Sequence, residues 1–297
     1  MIRHLSLVFL FILPLSAWSH GDLHEQIDDV SKLLVDDKQK TGLYLKRGKL
    51  YLQDGNFHEA IHDFRKSLKL EPALHVVHYH LGEAYLASGR SDAAEQHTRL
   101  FIKSLGPETY GGLSRGYGLL GKIYQKKNKH LEAAQAFEQS LQNNMQPGPI
   151  DYLQAAEAYV KSGQNYQHQA VDILDKGIGR LGPIVTLQEA AIELDLLSGS
   201  YDAALARVET LRSQGINEAN IYFKQASIMS TARRFEEAQT CYKKALSEIE
   251  RLPLHKQQSR AMVKLRLSIE ESMSQQEGNN EPAGKSTMSL NNNRGHV

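Results

Sequence analysis

A single cysteine, Cys241, in 297 residues excludes an intrachain disulfide framework and a cysteine-built zinc cage. An excess of one charge is missing as well. Lys and Arg number 35 against 34 Asp and Glu, a formal net of +1, so no concentrated positive field marks nucleic acid or an anionic membrane as a partner. Aromatic residues make up only 7% of the chain against 41% hydrophobic residues, which implies a core of Ala, Leu and small side chains suited to closely packed helices. No Gly-rich phosphate loop, Ser-His-Asp order or paired-carboxylate setting is present, so the chain reads as no enzyme. Length alone would suggest two ordinary domains at about 150 residues each, a quotient that fails for chains built from repeats.

Long apolar runs are also absent, with one short exception. Arg3 precedes a nearly unbroken apolar run from Leu5 to Leu13, followed by Pro14 and the small residues Ser16, Ala17 and Ser19. That order is the charged, apolar and small-residue sequence of a secretory signal peptide over 1–19, with cleavage expected after Ser19. The run falls short of the roughly 20 residues that span a bilayer, and no cysteine follows it to carry a lipid. The expectation is an exported, periplasmic or secreted chain without membrane insertion after cleavage.

What is present is repetition. Segments of the form Gly-x-aromatic-x-x-Ala, or close to it, align Ala60, Ala94, Ala133, Ala170, Ala204 and Ala238, at spacings of 34, 39, 37, 34 and 34. Twelve residues earlier stand Gly48, Gly82, Gly121 and Ala226; nine earlier, Tyr51, Tyr85 and Tyr124; four later, Phe64, Phe137 and Tyr242. Gly55, Gly89, Gly163 and Gly199 fall where first helices should end in a left-handed residue, and Pro72, Pro107, Pro149, Pro183 and Pro253 close the units. A small residue lets two helices cross closely, and the aromatic fills the wedge beyond the crossing. The spacing of 39 is assigned to a Gly-rich linker, Gly106 to Gly116, and that of 37 to a longer turn around Asn165 to His168. The fifth unit is the least regular, aliphatic at Ala191, Ile192 and Val208.

These markers resemble the tetratricopeptide repeat over roughly residues 41 to 253. The resemblance implies an all-α fold, a right-handed solenoid of about six helix-turn-helix repeats, near 41–74, 75–113, 114–148, 149–184, 185–218 and 219–253. Solenoid ends need covers. Leu23, Ile27, Val30 and Leu34 mark an N-terminal capping helix within 20–40, and Met262, Leu265 and Ile269 a C-terminal one within 254–277, roughly His255 to Gln276. The segment 278–297 lacks any apolar period and reads as a disordered tail.

In this family the first helices line a concave groove, which implies a protein or peptide partner docked there. Carried over by position, the groove residues are Leu45, Lys49 and Gln53, then Tyr79 and Glu83, then Lys122 and Lys126, then Leu153, Glu157 and Lys161. Glu189, Glu193, Phe223 and Ser227 complete them. The front is lysine-bearing and the middle glutamate-bearing. The family's carboxylate clamp for chaperone tails wants Lys and Asn where this chain has Leu45 and Lys49, so that ligand is not implied.

Two metal readings need weighing. His58-Glu59-Ala60-Ile61-His62 matches HExxH, in which two histidines hold zinc and the glutamate acts as base. Ala60, however, is the repeat's crossing residue, which puts both histidines on the outer face, away from any cleft. Cleavage after Ser19 would also expose His20 as an N-terminal amine-imidazole chelate suited to Cu(II), with Asp22 and His24 as further donors. Copper binding through His20 and His24 is therefore the alternative to a scaffold.

Overall fold

The computed structural model describes residues 16–37, 39–106 and 108–280, with side chains from 23 to 276. The leader expected at 1–19 lies mostly outside the described residues, as does the tail beyond 280. Described secondary structure is helical throughout, and no helix among the described residues is long and apolar enough to cross a membrane.

The chain divides into two compact units, Met1–Pro147 with Glu157–Ser162, and Gly148–Ala156 with Gly163–Val297. In the first, α1 (Ser16–Asp36) lies on α2 (Thr41–Gln53), which pairs with α3 (Phe57–Leu70). Two further hairpins follow: α4 (Val76–Ala87) with α5 (Ser91–Ser104), and α6 (Tyr110–Lys126) with α7 (His130–Gln142). Each hairpin contacts the next, and the first helices α2, α4 and α6 also touch in succession. Helix α8 (Pro149–Lys161) is divided between the units. The second unit continues with a 3-10 turn (Gln164–Tyr166), α9 (Gln167–Leu181), the pair α10 (Val185–Leu197) and α11 (Tyr201–Arg212), and the pair α12 (Glu218–Thr231) and α13 (Phe235–Glu250).

The marker residues explain this pairing. All six aligned alanines are fully buried. A Cβ on Gly48 would come within 2.6 Å of the Phe64 ring, and one on Gly121 within 2.6 Å of Phe137, so glycine is what allows α2 onto α3 and α6 onto α7. First helices end in left-handed Gly55, Gly89 and Gly199 at φ of 80°, 78° and 74°. In the third and sixth hairpins the same place is held by Asn128 (φ 57°) and Arg233 (φ 60°), which no sequence signal marked.

Ion pairs pin the hairpins. Arg47 meets the buried Asp63 in two bonds (Nε to Oδ2 2.6 Å, Nη2 to Oδ1 2.9 Å) and donates to Ser31 Oγ at 3.0 Å, tying α1 to the first hairpin. In the second unit Arg207 spans three helices, reaching Asp195 Oδ2 at 2.7 Å and Asp175 Oδ1 at 2.6 Å. Both guanidinium pKa values rise, chiefly through these hydrogen bonds.

Three boundaries differ from the sequence reading. The segment assigned as a linker, 106–116, is helical from Tyr110, because Gly112 and Gly116 bring α6 against Leu105 and Ile102 and that close packing overrides glycine's poor helix propensity. The single C-terminal cap is two helices, α14 (Leu254–Gln257) and α15 (Arg260–Asn280), broken at Gln258 and Ser259. Helix α15 lies on α13 and runs to residue 280, three residues into the segment expected to be disordered.

Candidate partner-binding surfaces

Helices α10 and α12 of the second unit each present one polar-rimmed face. Glu189, Ile192, Glu193 and Leu196 follow the spacing of one side of α10, and Asn220, Phe223, Lys224 and Ser227 that of α12. Between them opens a cavity of about 500 Å³, with Ile228 and the cap residue Leu265 completing its apolar wall. Leu265 reaches it because α15 packs its buried side, Leu265 and Ile269, on Ala245 and Ile249 of α13. The Phe223 ring leans on Tyr242 at 6.1 Å, which holds it at the cavity wall. Three residues assigned to the groove by position, Glu189, Glu193 and Phe223, are therefore neighbours in space.

The two carboxylates differ. Lys224 Nζ lies 2.9 Å from Glu189 Oε1, whereas Glu193, one turn on and exposed, has no cationic partner among the described residues. The glutamate-bearing middle read from sequence is thus largely neutralised. Glu157, in the first unit, is likewise held by Lys161 at 2.5 Å.

The first unit presents a different surface. Lys49, Lys122 and Lys126 are exposed on α2 and α6, without an acidic partner among the described residues. Tyr79 on α4 is half-buried against Phe101, with the Arg115 guanidinium 5.7 Å from its ring centre. Burial first, and then Glu83, push its phenol up to about 12, so it stays a neutral hydroxyl. Glu83 accepts from His80 Nδ1 at 3.0 Å when that nitrogen carries the proton. Arg115 was missed by the sequence reading, although it sits seven residues before Lys122 on the same face of α6.

The metal candidates fall elsewhere. His58, Glu59 and His62 are exposed on α3, with the crossing Ala60 buried between them, and His62 lies 3.3 Å from Asp63. His24 lies 3.8 Å from Asp54 at the α2–α3 turn, while the His20 side chain is outside the described residues. Among the described residues no three His, Cys, Asp or Glu side chains gather as a metal site. Cys241 is buried 3.8 Å from Met229 Sδ, and burial pushes its thiol pKa up.

Comparison with known proteins agrees with the fold. Tetratricopeptide-repeat families match residues 51–99, and 114–144 and 219–250. No curated protein matches the chain. Among solved structures, the C-terminal part of a repeat-containing protein from Cytophaga hutchinsonii is 13% identical, with 84% of this chain and 96% of that one covered at a TM-score of 0.59. A tetratricopeptide repeat protein from Parabacteroides merdae is 17% identical over 85% and 94% at 0.47. YrrB, described as having an unusual peptide-binding site, is 14% identical over 82% and 97% at 0.39.

Proposed function

Because the chain is a tetratricopeptide-repeat protein, a class that serves in general as a non-catalytic scaffold for protein or peptide partners, we propose that it is exported to the cell envelope and docks a partner on its first helices. The observation that carries this reading is the cavity between α10 and α12, an apolar hollow with a charged rim built from first-helix side chains. The exposed lysines of α2 and α6 offer a second, electrostatic contact surface on the first unit. Export is supported by the order of charged, apolar and small residues over 1–19.

Capture of partners from the native envelope tests the scaffold. Lys122→Glu with Lys126→Glu, or Phe223→Ala, should each reduce recovery of specific partners without loss of helicity by circular dichroism. If both variants recover the same partners as the parent, the first-helix surfaces are not the docking site. The mass of the purified mature chain tests export. A chain beginning at His20 agrees with it, and one retaining Met1 refutes it.

A further inference from the structure

We propose that the cavity between α10 and α12 selects a basic and apolar element of its partner: an aliphatic or aromatic side chain seated in the hollow, with a Lys or Arg beside it in sequence. This rests on the scaffold reading and adds the chemistry of the occupant. The hollow is floored by Ile192, Leu196, Phe223 and Leu265, so the seated group must be apolar, and a volume of about 500 Å³ accepts one or two such side chains.

Charge decides the rest. Of the three charged groups at the rim, Glu189 and Lys224 neutralise each other at 2.9 Å. Glu193 is left as the one carboxylate at the rim without a cationic partner among the described residues. The cavity therefore carries a net negative charge beside an apolar floor. An acidic occupant would meet repulsion from Glu193, and a neutral one would leave that carboxylate partly desolvated without compensation. A cation one or two residues from the apolar anchor satisfies it. Asn220 at the same rim presents an amide that can bond an extended backbone.

The test is selection of random dodecapeptides on the full chain, followed by fluorescence anisotropy with the enriched sequences. Enrichment should pair Leu, Ile, Met or Phe with Lys or Arg within two positions. Glu193→Lys should weaken such peptides at least tenfold and Glu193→Gln severalfold; both substitutions are at an exposed position and leave the fold intact. Lys224→Gln, which releases the Glu189 carboxylate, should strengthen them a few-fold and steepen their salt dependence. Enrichment of acidic peptides, or affinities indifferent to Glu193→Lys, overturns the proposal. If such peptides still weaken with Phe223→Ala, or with Lys122→Glu and Lys126→Glu together, the scaffold reading stands without it. Peptides indifferent to every one of these substitutions, or a failure to enrich any peptide, overturn the proposal, and the scaffold reading is then decided separately by capture from the native envelope. Sedimentation showing a dimer that Phe223→Ala dissociates would make a second copy the occupant and also overturn it.

Discussion

Replacing Gly121 by alanine should destabilise the α6–α7 hairpin, although alanine is the better helix former. A Cβ at Gly121 would stand 2.6, 2.7 and 2.9 Å from three ring carbons of Phe137. Carbon pairs favour about 3.5–4.0 Å, so each contact is short by roughly 1 Å. The Phe137 side chain is only 4% exposed, so it can move away only by displacing buried neighbours. Overpacking of this kind costs about 1–3 kcal/mol, offset by about 1 kcal/mol of gained helix propensity. Gly179 on α9 is the control, since a Cβ there meets nothing within 4 Å and Gly179→Ala gains propensity alone. The two variants should differ by about 1–3 kcal/mol in urea unfolding, with faster amide exchange in the first confined to α6 and α7. Adding Phe137→Leu to Gly121→Ala should recover part of the loss as a coupling of about 0.5–3 kcal/mol. Equal stabilities for the two alanine variants, or no coupling with Phe137→Leu, would refute the crossing argument.

Three further outcomes follow from the same geometry. His78 Nδ1 and His97 Nδ1 are 2.9 Å apart between α4 and α5, a bond that needs at least one of them neutral, and His97 also stacks on Tyr85. Burial first, then His78 and Arg65, hold the His97 pKa down to about 4, against about 6.5 unfolded. The unfolded chain therefore binds more protons between those values, and stability is full above about pH 6.5 and falls as pH drops toward 4. Discounted for partial exposure, the loss is about 1–2 kcal/mol; urea midpoints at pH 7 and pH 5 should differ less in His97→Phe than in the parent, and equal differences would sink the idea. Arg207→Ala strands the buried Asp195 carboxylate and should cost about 3–5 kcal/mol, whereas Arg207→Met with Asp195→Leu should restore most of it in the same denaturation assay. Arg233→Gly relieves a left-handed residue at φ 60° and should raise stability by about 0.5–1 kcal/mol, with a smaller gain for Asn128→Gly because asparagine tolerates that region.

Hairpin order was legible because the markers act locally. Gly48, Phe64 and Ala60 report one helix crossing, and all three lie within seventeen residues of sequence. The candidate site was legible only as positions. Periodicity placed Glu189, Glu193 and Phe223 on first helices, but their meeting around one cavity depends on how α10 lies beside α12. Leu265 was readable as an apolar cap residue, and its place in the cavity wall follows from the docking of α15 on α13.

By itself, then, the sequence determined the helix pairs, their crossing residues and most of their glycine turns, since each is written in spacings shorter than one repeat. Only the tertiary structure decided which charges remain available. A summed acidic middle became one unpaired Glu193 because Lys224, 35 residues after Glu189, folds back within 2.9 Å of it. Tertiary packing also drew the glycines of 111–116 into α6 and forced Arg233 into a left-handed turn. Spacing records what neighbours along the chain do to one another, whereas electrostatic pairing and strain belong to groups that meet only once the helices have packed.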